Sequence, residues 1–378
     1  MHQHHGAMGG CDMIHFPTSE QDVAQYLGAA KGSVTIQGGG SRTLHQPAGD
    51  TLSMEKLTGI VDYEPGALTM VARAGTPLAD IEQTLAQENQ RLAFEPVVMN
   101  DVLGKTGAST IGGVFASNAS GSRRIQAGAA RDFLLGVRCV DGAGTIIKNG
   151  GRVMKNVTGY DLVKLLAGSW GQLAALTEVS FKVLPISETE ATLSVAVTDP
   201  VAAVALMTRV MSTPYDVTGV SYDPAQGVAL VRIEGFEKSV SYRSAELRQV
   251  LAPFGDVDIL SDLASRAMWQ ALRRLGPLVG QSGTLWRVSV KPTDGPAVVE
   301  ALHGAPYVMD WSGGLIWAVL PSDFDLRASL SQIAGHATCF GQGHSLLHPH
   351  SAGVAAIMQG IREKFDPHHL FPTHSKAA

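Results

Sequence analysis

The chain has 378 residues, a length that suits two domains better than one. Hydrophobic residues make up 45% and charged residues 17%, enough apolar material for packed cores. With 29 basic against 34 acidic side chains the formal charge is −5, which argues against nucleic acid as a partner, since such binding needs a clustered basic face.

The opening Met1-His2-Gln3-His4-His5 lacks the charged-then-apolar order of a secretory signal. Residues 1–13 read as a disordered leader, or as a His-rich metal tract, and Met13 opens the first domain. Residues 14–31 predict a short strand and a helix capped by Thr18 or Ser19, with Val23, Tyr26 and Leu27 on one face. Residues 33–37 predict a strand running into Gly38-Gly39-Gly40-Ser41-Arg42. A strand over 68–72 turns at Gly75. Thr76-Pro77 then reads as an N-cap with proline at the first helical position, before Leu78, Ile81 and Leu85 at helical spacing. Residues 107–121 are rich in glycine, serine and asparagine. A hairpin over 133–148 turns at Asp141-Gly142. A short helix over 160–166 stops at Gly168, and a strand over 176–184 is closed by Pro185. The second half predicts helices at 199–212 and 242–251 and strands at 227–234, 285–290 and 315–320, α+β in character, with no repeat of fixed period. The implied limits are 14–186 and 187–345, with a segment 346–378 returning toward the first domain.

A strand ending in three glycines offers consecutive backbone N–H groups to phosphate oxygens, or it is an ordinary glycine turn. G-x-G-x-x-G and the Walker pattern are both absent, so neither a Rossmann nicotinamide site nor a P-loop is expected. The second glycine region, Gly107 to Gly113 and Asn118 to Gly121, has the same chemistry, and Ile111, Val114 and Phe115 give it a buried look that a linker lacks.

Six ordered segments carry a resemblance: Ile36 to Ser41, Ala74 to Asp80, Ser109 to Gly113, Arg131 to Val137, Lys155 to Leu162 and Gly168 to Leu173. Residues 14–186 resemble the FAD-binding domain of the vanillyl-alcohol oxidase / p-cresol methylhydroxylase (PCMH) type. Within that superfamily the chain is similar to the FAD-binding E subunits of glycolate oxidase. Leu285 to Val290, Asp310 to Gly314 and Gly335 to Thr338 add shorter likenesses in the second half. The resemblance implies an α+β chain, a two-part PCMH-type domain followed by a smaller cap-like one. It implies FAD held at Gly38, Gly39, Gly40, Ser41 and Arg42, with Ser109, Thr110, Gly112 and Gly113 toward the flavin and Ala175 and Leu176 at the adenine end. It also implies a D-type flavin subunit and an F-type iron–sulfur subunit as partners, a small 2-hydroxy acid as substrate and a cytoplasmic place, peripheral at the inner membrane through those partners.

Two departures matter. Covalent-flavin relatives carry a histidine by the glycine loop, where Ser41-Arg42 stand here, so non-covalent FAD is expected. The late Gly343-His344-Ser345-Leu346-Leu347-His348-Pro349-His350 lacks the carboxylate of the family's metal motif, so no metal is expected, although His344 and His348 have the i, i+4 spacing of helical ligands. Arg287 reads as a substrate-carboxylate anchor or a domain contact, and His336 as a proton acceptor or a structural turn residue. Cys11, Cys139 and Cys339 stand far apart, which excludes a chain-built iron–sulfur site and suits a reducing compartment. No apolar run reaches the roughly 18–20 residues that span a bilayer.

Overall fold

In the computed structural model, which describes residues 13–42, 49–151 and 159–374, the first half is built on two sheets. The smaller contains β1 (Ile14–His15), β2 (Val34–Gln37) and β3 (Asp50–Ser53), parallel in the order β1-β3-β2. Between β1 and β2 lies α1 (Glu20–Ala29). The Ser19 hydroxyl accepts from Asp22 N at 3.1 Å while the Asp22 carboxylate accepts from Ser19 N at 2.9 Å, a reciprocal cap that fixes its start. The larger sheet takes β4 (Ile60–Glu64), β5 (Thr69–Arg73), β6 (Leu134–Asp141), β7 (Ile146–Gly150) and β8 (Ala174–Lys182), antiparallel in the order β4-β5-β8-β6-β7.

On the larger sheet lie α2 (Leu78–Gln87), α3 (Ile111–Ala116) and α4 (Leu162–Leu166). Leu78, Ile81 and Leu85 are buried, as their spacing requires. Pro77, not Thr76, occupies the N-cap position of α2, because the Thr76 hydroxyl is held by the Arg73 carbonyl at 2.7 Å. The glycine-rich stretch contains α3, opened by Thr110, whose hydroxyl accepts from Gly113 N; burial of Ile111, Val114 and Phe115 overrides its poor helix propensity. Each such apolar side chain contributes about 1.5–3 kcal/mol on leaving water. Of the motif at 155–162, residues 155–158 lie outside the described residues, as does the His-rich opening.

The second half is one eight-stranded antiparallel sheet made of the same unit twice. In the first unit β9 (Thr189–Ala196), α5 (Pro200–Met211), β10 (Val217–Asp223), β11 (Val228–Gly235), α6 (Glu237–Leu251) and β12 (Val257–Ser261) pair in the order β12-β9-β11-β10. In the second, β13 (Thr284–Val290), α8 (Gly295–Ala301), β14 (Tyr307–Asp310), β15 (Leu315–Leu320), α9 (Leu326–Ser329) and β16 (Gly335–Phe340) pair as β16-β13-β15-β14. The units join edge to edge where Ser221 faces Asp310 and Tyr222 faces Met309. The two units share topology, while their unequal loops leave no constant period in the sequence.

One face of the long sheet packs Leu193, Val231 and Ile316 against Leu206 and Met207 of α5, Leu247 of α6 and Val298 of α8. The other face turns toward the first half. Over the first unit it is covered by α7 (Asp262–Arg273), where Trp269 Nε1 donates to the Thr192 hydroxyl at 2.8 Å. Over the second unit a cavity opens, walled in part by Met358, Ile361 and Arg362 near the end of the chain. A buried ion network ties the halves: Glu234 of β11 accepts from Arg91 at 2.5 Å and from Arg123, while Arg232 donates to Glu95 at 2.8 Å. Past the sheet, α10 (Ala352–Phe365) leads to Leu370 and Phe371, which are buried with Val23 and Leu27; the Leu370 carbonyl accepts from Val34 N at 2.8 Å. Among the described residues no helix is long and apolar enough to cross a membrane.

Candidate active site

The loop after β2 and the N-terminal end of α3 meet along a cavity of about 310 Å³, lined by Gly38, Gly39, Gly40, Ser41 and Arg42 on one side and Thr110, Gly112 and Gly113 on another. Trp170 and the C-terminal Pro372, Thr373 and His374 close it. The glycines are required by contact between the loops. A Cβ on Gly39 would stand 2.2 Å from the Ala108 carbonyl oxygen, one on Gly38 2.3 Å from the Thr110 hydroxyl, and one on Gly107 1.7 Å from the Gly39 carbonyl oxygen. Gly40 takes φ of +78°, open to glycine at little cost. The N–H groups of Gly39, Gly40 and Ser41 donate to no group among the described residues. Unpaired amides along a narrow cavity beside a guanidinium fit a pyrophosphate.

Arg42 braces the two loops, donating to the Ser109 hydroxyl at 2.9 Å and the Val97 carbonyl at 2.7 Å. Burial, helped by Arg273, pulls its pKa down to about 10, so it stays charged at neutral pH. Ser109 lies behind the cavity wall. Leu176 lines the cavity together with Ala174, whereas Ala175 points into the core beside Val140 and Phe371; alternation along β8 puts it on the opposite face and corrects its assignment to the adenine end.

A second cavity of about 620 Å³ adjoins the first, and Ser117 and Trp170 line both. Its walls come from both halves. Alternation along β13 and β16 aims Arg287, Ser289, His336, Thr338 and Phe340 into it, while Trp286 and Ala337 face the core. Four arginines and three histidines line it, with no Asp or Glu. Arg131 donates to the Ala167 carbonyl and Arg362 to that of Phe371. Arg124 and Arg287 instead stack on the Trp311 ring, at 4.4 and 5.2 Å from its centroid. Burial first, then the like charge of Arg124, lowers the Arg287 pKa to about 10. His336 is exposed, 5.7 Å from the His348 ring. His348 Nδ1 accepts from Ala337 N at 3.2 Å, and burial together with Arg327 lowers its pKa.

The model of the FAD binding domain family matches residues 11–150. Glycolate oxidase subunit GlcE of Escherichia coli (strain K12) is 34% identical over 347 residues, 90% of this chain and 91% of that protein. The chain belongs to the GlcE family. As a member of it, the chain is an FAD-dependent subunit of a glycolate oxidase-type oxidoreductase. Glycolate oxidase subunit GlcD of Bacillus subtilis (strain 168) is 33% identical over 163 residues, 43% of this chain and 33% of that protein. A D-lactate dehydrogenase of Archaeoglobus fulgidus is 29% identical over 176 residues, 45% of this chain and 38% of that one. Among solved structures, an alkyldihydroxyacetonephosphate synthase superposes with a TM-score of 0.68 at 15% identity, covering 95% of this chain and 76% of that one, a likeness of fold.

Within this GlcE-family chain the late histidines do not form a helical pair. Residues 344–348 are irregular, and His344 packs beside Trp286 with ring centroids 5.5 Å apart. Among the described residues no group of three or more His, Cys, Asp or Glu converges as a metal site. Trp286 is core, Trp317 lines the second cavity, and Asp161 caps α4 by accepting from Lys164 N. Sequence reading missed Arg124, whose only signal is an Arg-Arg pair in a stretch of few charges, and Asp310.

Asp310 is buried at the end of β14, accepting from the Ser122 hydroxyl at 2.5 Å and from Trp311 N at 2.6 Å. Burial raises its pKa to about 7 against the opposing pull of those hydrogen bonds. The folded carboxyl thus holds its proton more tightly than the unfolded one, whose pKa is about 3.9. Its contribution to stability therefore falls as pH rises from about 4 to 7 and is constant above. Asp310→Asn should gain on the native chain by at most about 4 kcal/mol across that window, read from urea unfolding at a series of pH values. A constant difference between the two chains would refute the assignment.

Proposed function

We propose that the chain holds non-covalent FAD across the two cavities and serves a complex that oxidises glycolate to glyoxylate, passing electrons to an iron–sulfur partner. The supporting observation is the row of unpaired amides at Gly39, Gly40 and Ser41 in a cavity continuous with a larger, cationic one. In this reading Gly38, Gly39, Gly40 and Ser41 take the pyrophosphate through backbone N–H groups, and Arg42 braces the loop. Thr110, Gly112 and Gly113 border the flavin-side phosphate and ribityl, Ser109 fixes Arg42, and Leu176 with Ala174 flanks the adenine end. FAD, when bound, supplies the redox chemistry. The chain's own groups orient the substrate and exclude water. In the self-sufficient reading given below, His336, at the second cavity, takes the hydroxyl proton.

The partners in this proposal are a D-type flavin subunit and an F-type iron–sulfur subunit, since the described Cys139 and Cys339 are buried apart and no cluster-ligand group converges among the described residues. The complex is placed in the cytoplasm, peripheral at the inner membrane through those partners. The acid-free second cavity favours a second reading, a self-sufficient oxidase or dehydrogenase of a small 2-hydroxy acid. One experiment separates them. The FAD-loaded chain is mixed anaerobically with glycolate or D-lactate, alone and with the partner subunits, and the flavin is afterwards released by acid. The first reading expects all flavin in the acid supernatant and negligible bleaching without partners. Bleaching by the chain alone at roughly 1–1000 per second would overturn it in favour of the second.

A further inference from the structure

The second cavity holds two cations that no carboxylate meets in a hydrogen bond or ion pair among the described residues; Asp132 acts on Arg124 only from outside its walls. Among its arginines, Arg131 and Arg362 spend their donors on backbone carbonyls. Arg124 and Arg287 have neither a side-chain hydrogen bond nor an ion pair among the described residues, and no carboxylate lines the cavity. A buried guanidinium is ordinarily paired, because leaving it alone in a low-dielectric site is costly. In a chain with more acids than bases, an acid-free pocket around two unpaired arginines is a specific arrangement.

Their common support is rigid. Trp311 Nε1 donates to the Gly121 carbonyl at 3.0 Å, and its main-chain N–H is held by Asp310, which Ser122 also anchors. Trp311 and Ser312 both adopt the left-handed region, with φ of +52° and +61°, where non-glycine residues sit at some cost. Those hydrogen bonds hold the ring at the boundary of the two halves despite the strain. Arg124 reaches it from the first half and Arg287 from the long sheet.

We propose that Arg124 and Arg287 form a two-sided grip for the carboxylate of a small organic acid, with the Trp311 ring as their shared support. An anion bridging the two guanidiniums removes their mutual repulsion and gives each a forked, charge-assisted partner. Arg124 places the grip partly on the flavin-binding half, so the acid is held across the junction rather than by the second half alone. The inference deepens the reading above, on which its place in the reaction rests.

The test uses oxalate, a small unoxidisable dianion, and acetate as the weaker monoanion, titrated into the full chain by calorimetry with and without FAD. Oxalate should bind one to one and more tightly than acetate. Arg124→Gln and Arg287→Gln should each weaken oxalate by about 10- to 100-fold while retaining FAD and the native melting temperature. Arg209→Gln, on the exposed side of α5, should change nothing. Oxalate binding that is absent in the native chain, or unaffected in both cavity variants, would overturn the grip. Loss of FAD retention with oxalate binding intact would overturn the flavin reading and leave the grip standing.

Discussion

Replacement of Gly39 by valine will abolish FAD loading, with bound flavin per chain falling to background in visible absorbance. The added Cβ alone would lie 2.2 Å from the Ala108 carbonyl oxygen, and that neighbour is backbone, which cannot rotate away. Relief requires the two glycine loops to separate. Ala108 cannot simply yield, because Gly107 on the same loop already lies against the Gly39 carbonyl. Separation would also break the Arg42 brace to Ser109 and Val97 and scatter the amides proposed to hold the pyrophosphate. The φ of Gly39 is not what forbids the side chain; the left-handed residue in this loop is Gly40. Gly40→Ala is therefore expected to cost roughly 1 kcal/mol of strain and to retain part of the flavin. Circular dichroism should show the large sheets unchanged in both variants, since their cores lie elsewhere. Full FAD occupancy in Gly39→Val would remove the pyrophosphate assignment.

The largest loss of stability is expected from Glu234→Ala. The Glu234 side chain is 1% exposed and is met by Arg91 and Arg123 from the first half and, at 3.6 Å, by Arg232 of its own strand. Burial and the nearby Arg91 already push the Arg123 pKa down to about 9, so these cations tolerate their site only because a carboxylate is there. Without it Arg91 and Arg123 lose their directly paired carboxylate, and only the more distant charges of Glu95, Glu190 and Asp216 remain to offset them. Breaking a buried pair in this way costs about 3–5 kcal/mol. Thermal melting of the full chain should register it as a drop of several degrees, and the loss should be smaller when Arg123 is replaced by Met in the same chain, because the stranded charge is then gone. Equal melting of Glu234→Ala and native protein would show that water or other groups neutralise the arginines.

The first half was largely legible in the sequence because its signals are local. Glycine after a β-branched strand, apolar residues at helical spacing in α2 and the Asp141-Gly142 turn all act over a few residues. Family resemblance then ordered those pieces into one site. Thr76 was misread because its hydroxyl is claimed by Gly59 and Arg73 across a turn, a contact that spacing along the chain cannot reveal. Ala175 was misassigned by a single residue, which on a strand exchanges cavity for core.

By itself the sequence determined the α+β class, the FAD family and the two glycine loops. These rest on backbone conformation and short-range pattern, which glycine, proline and hydrophobic period encode directly. Only the tertiary structure decided that the second half is one unit used twice, because pairing order between distant strands leaves no local trace. Only it decided, too, that α7 packs over one of those units while a cavity, walled partly by α10, lies over the other. The convergence of Arg124 with Arg287 on Trp311, from positions more than a hundred residues apart, follows from how the two halves pack. An arginine's meaning depends on which carboxylates lie near it in space, and here the fold lines their cavity with none and pairs neither arginine directly with one among the described residues.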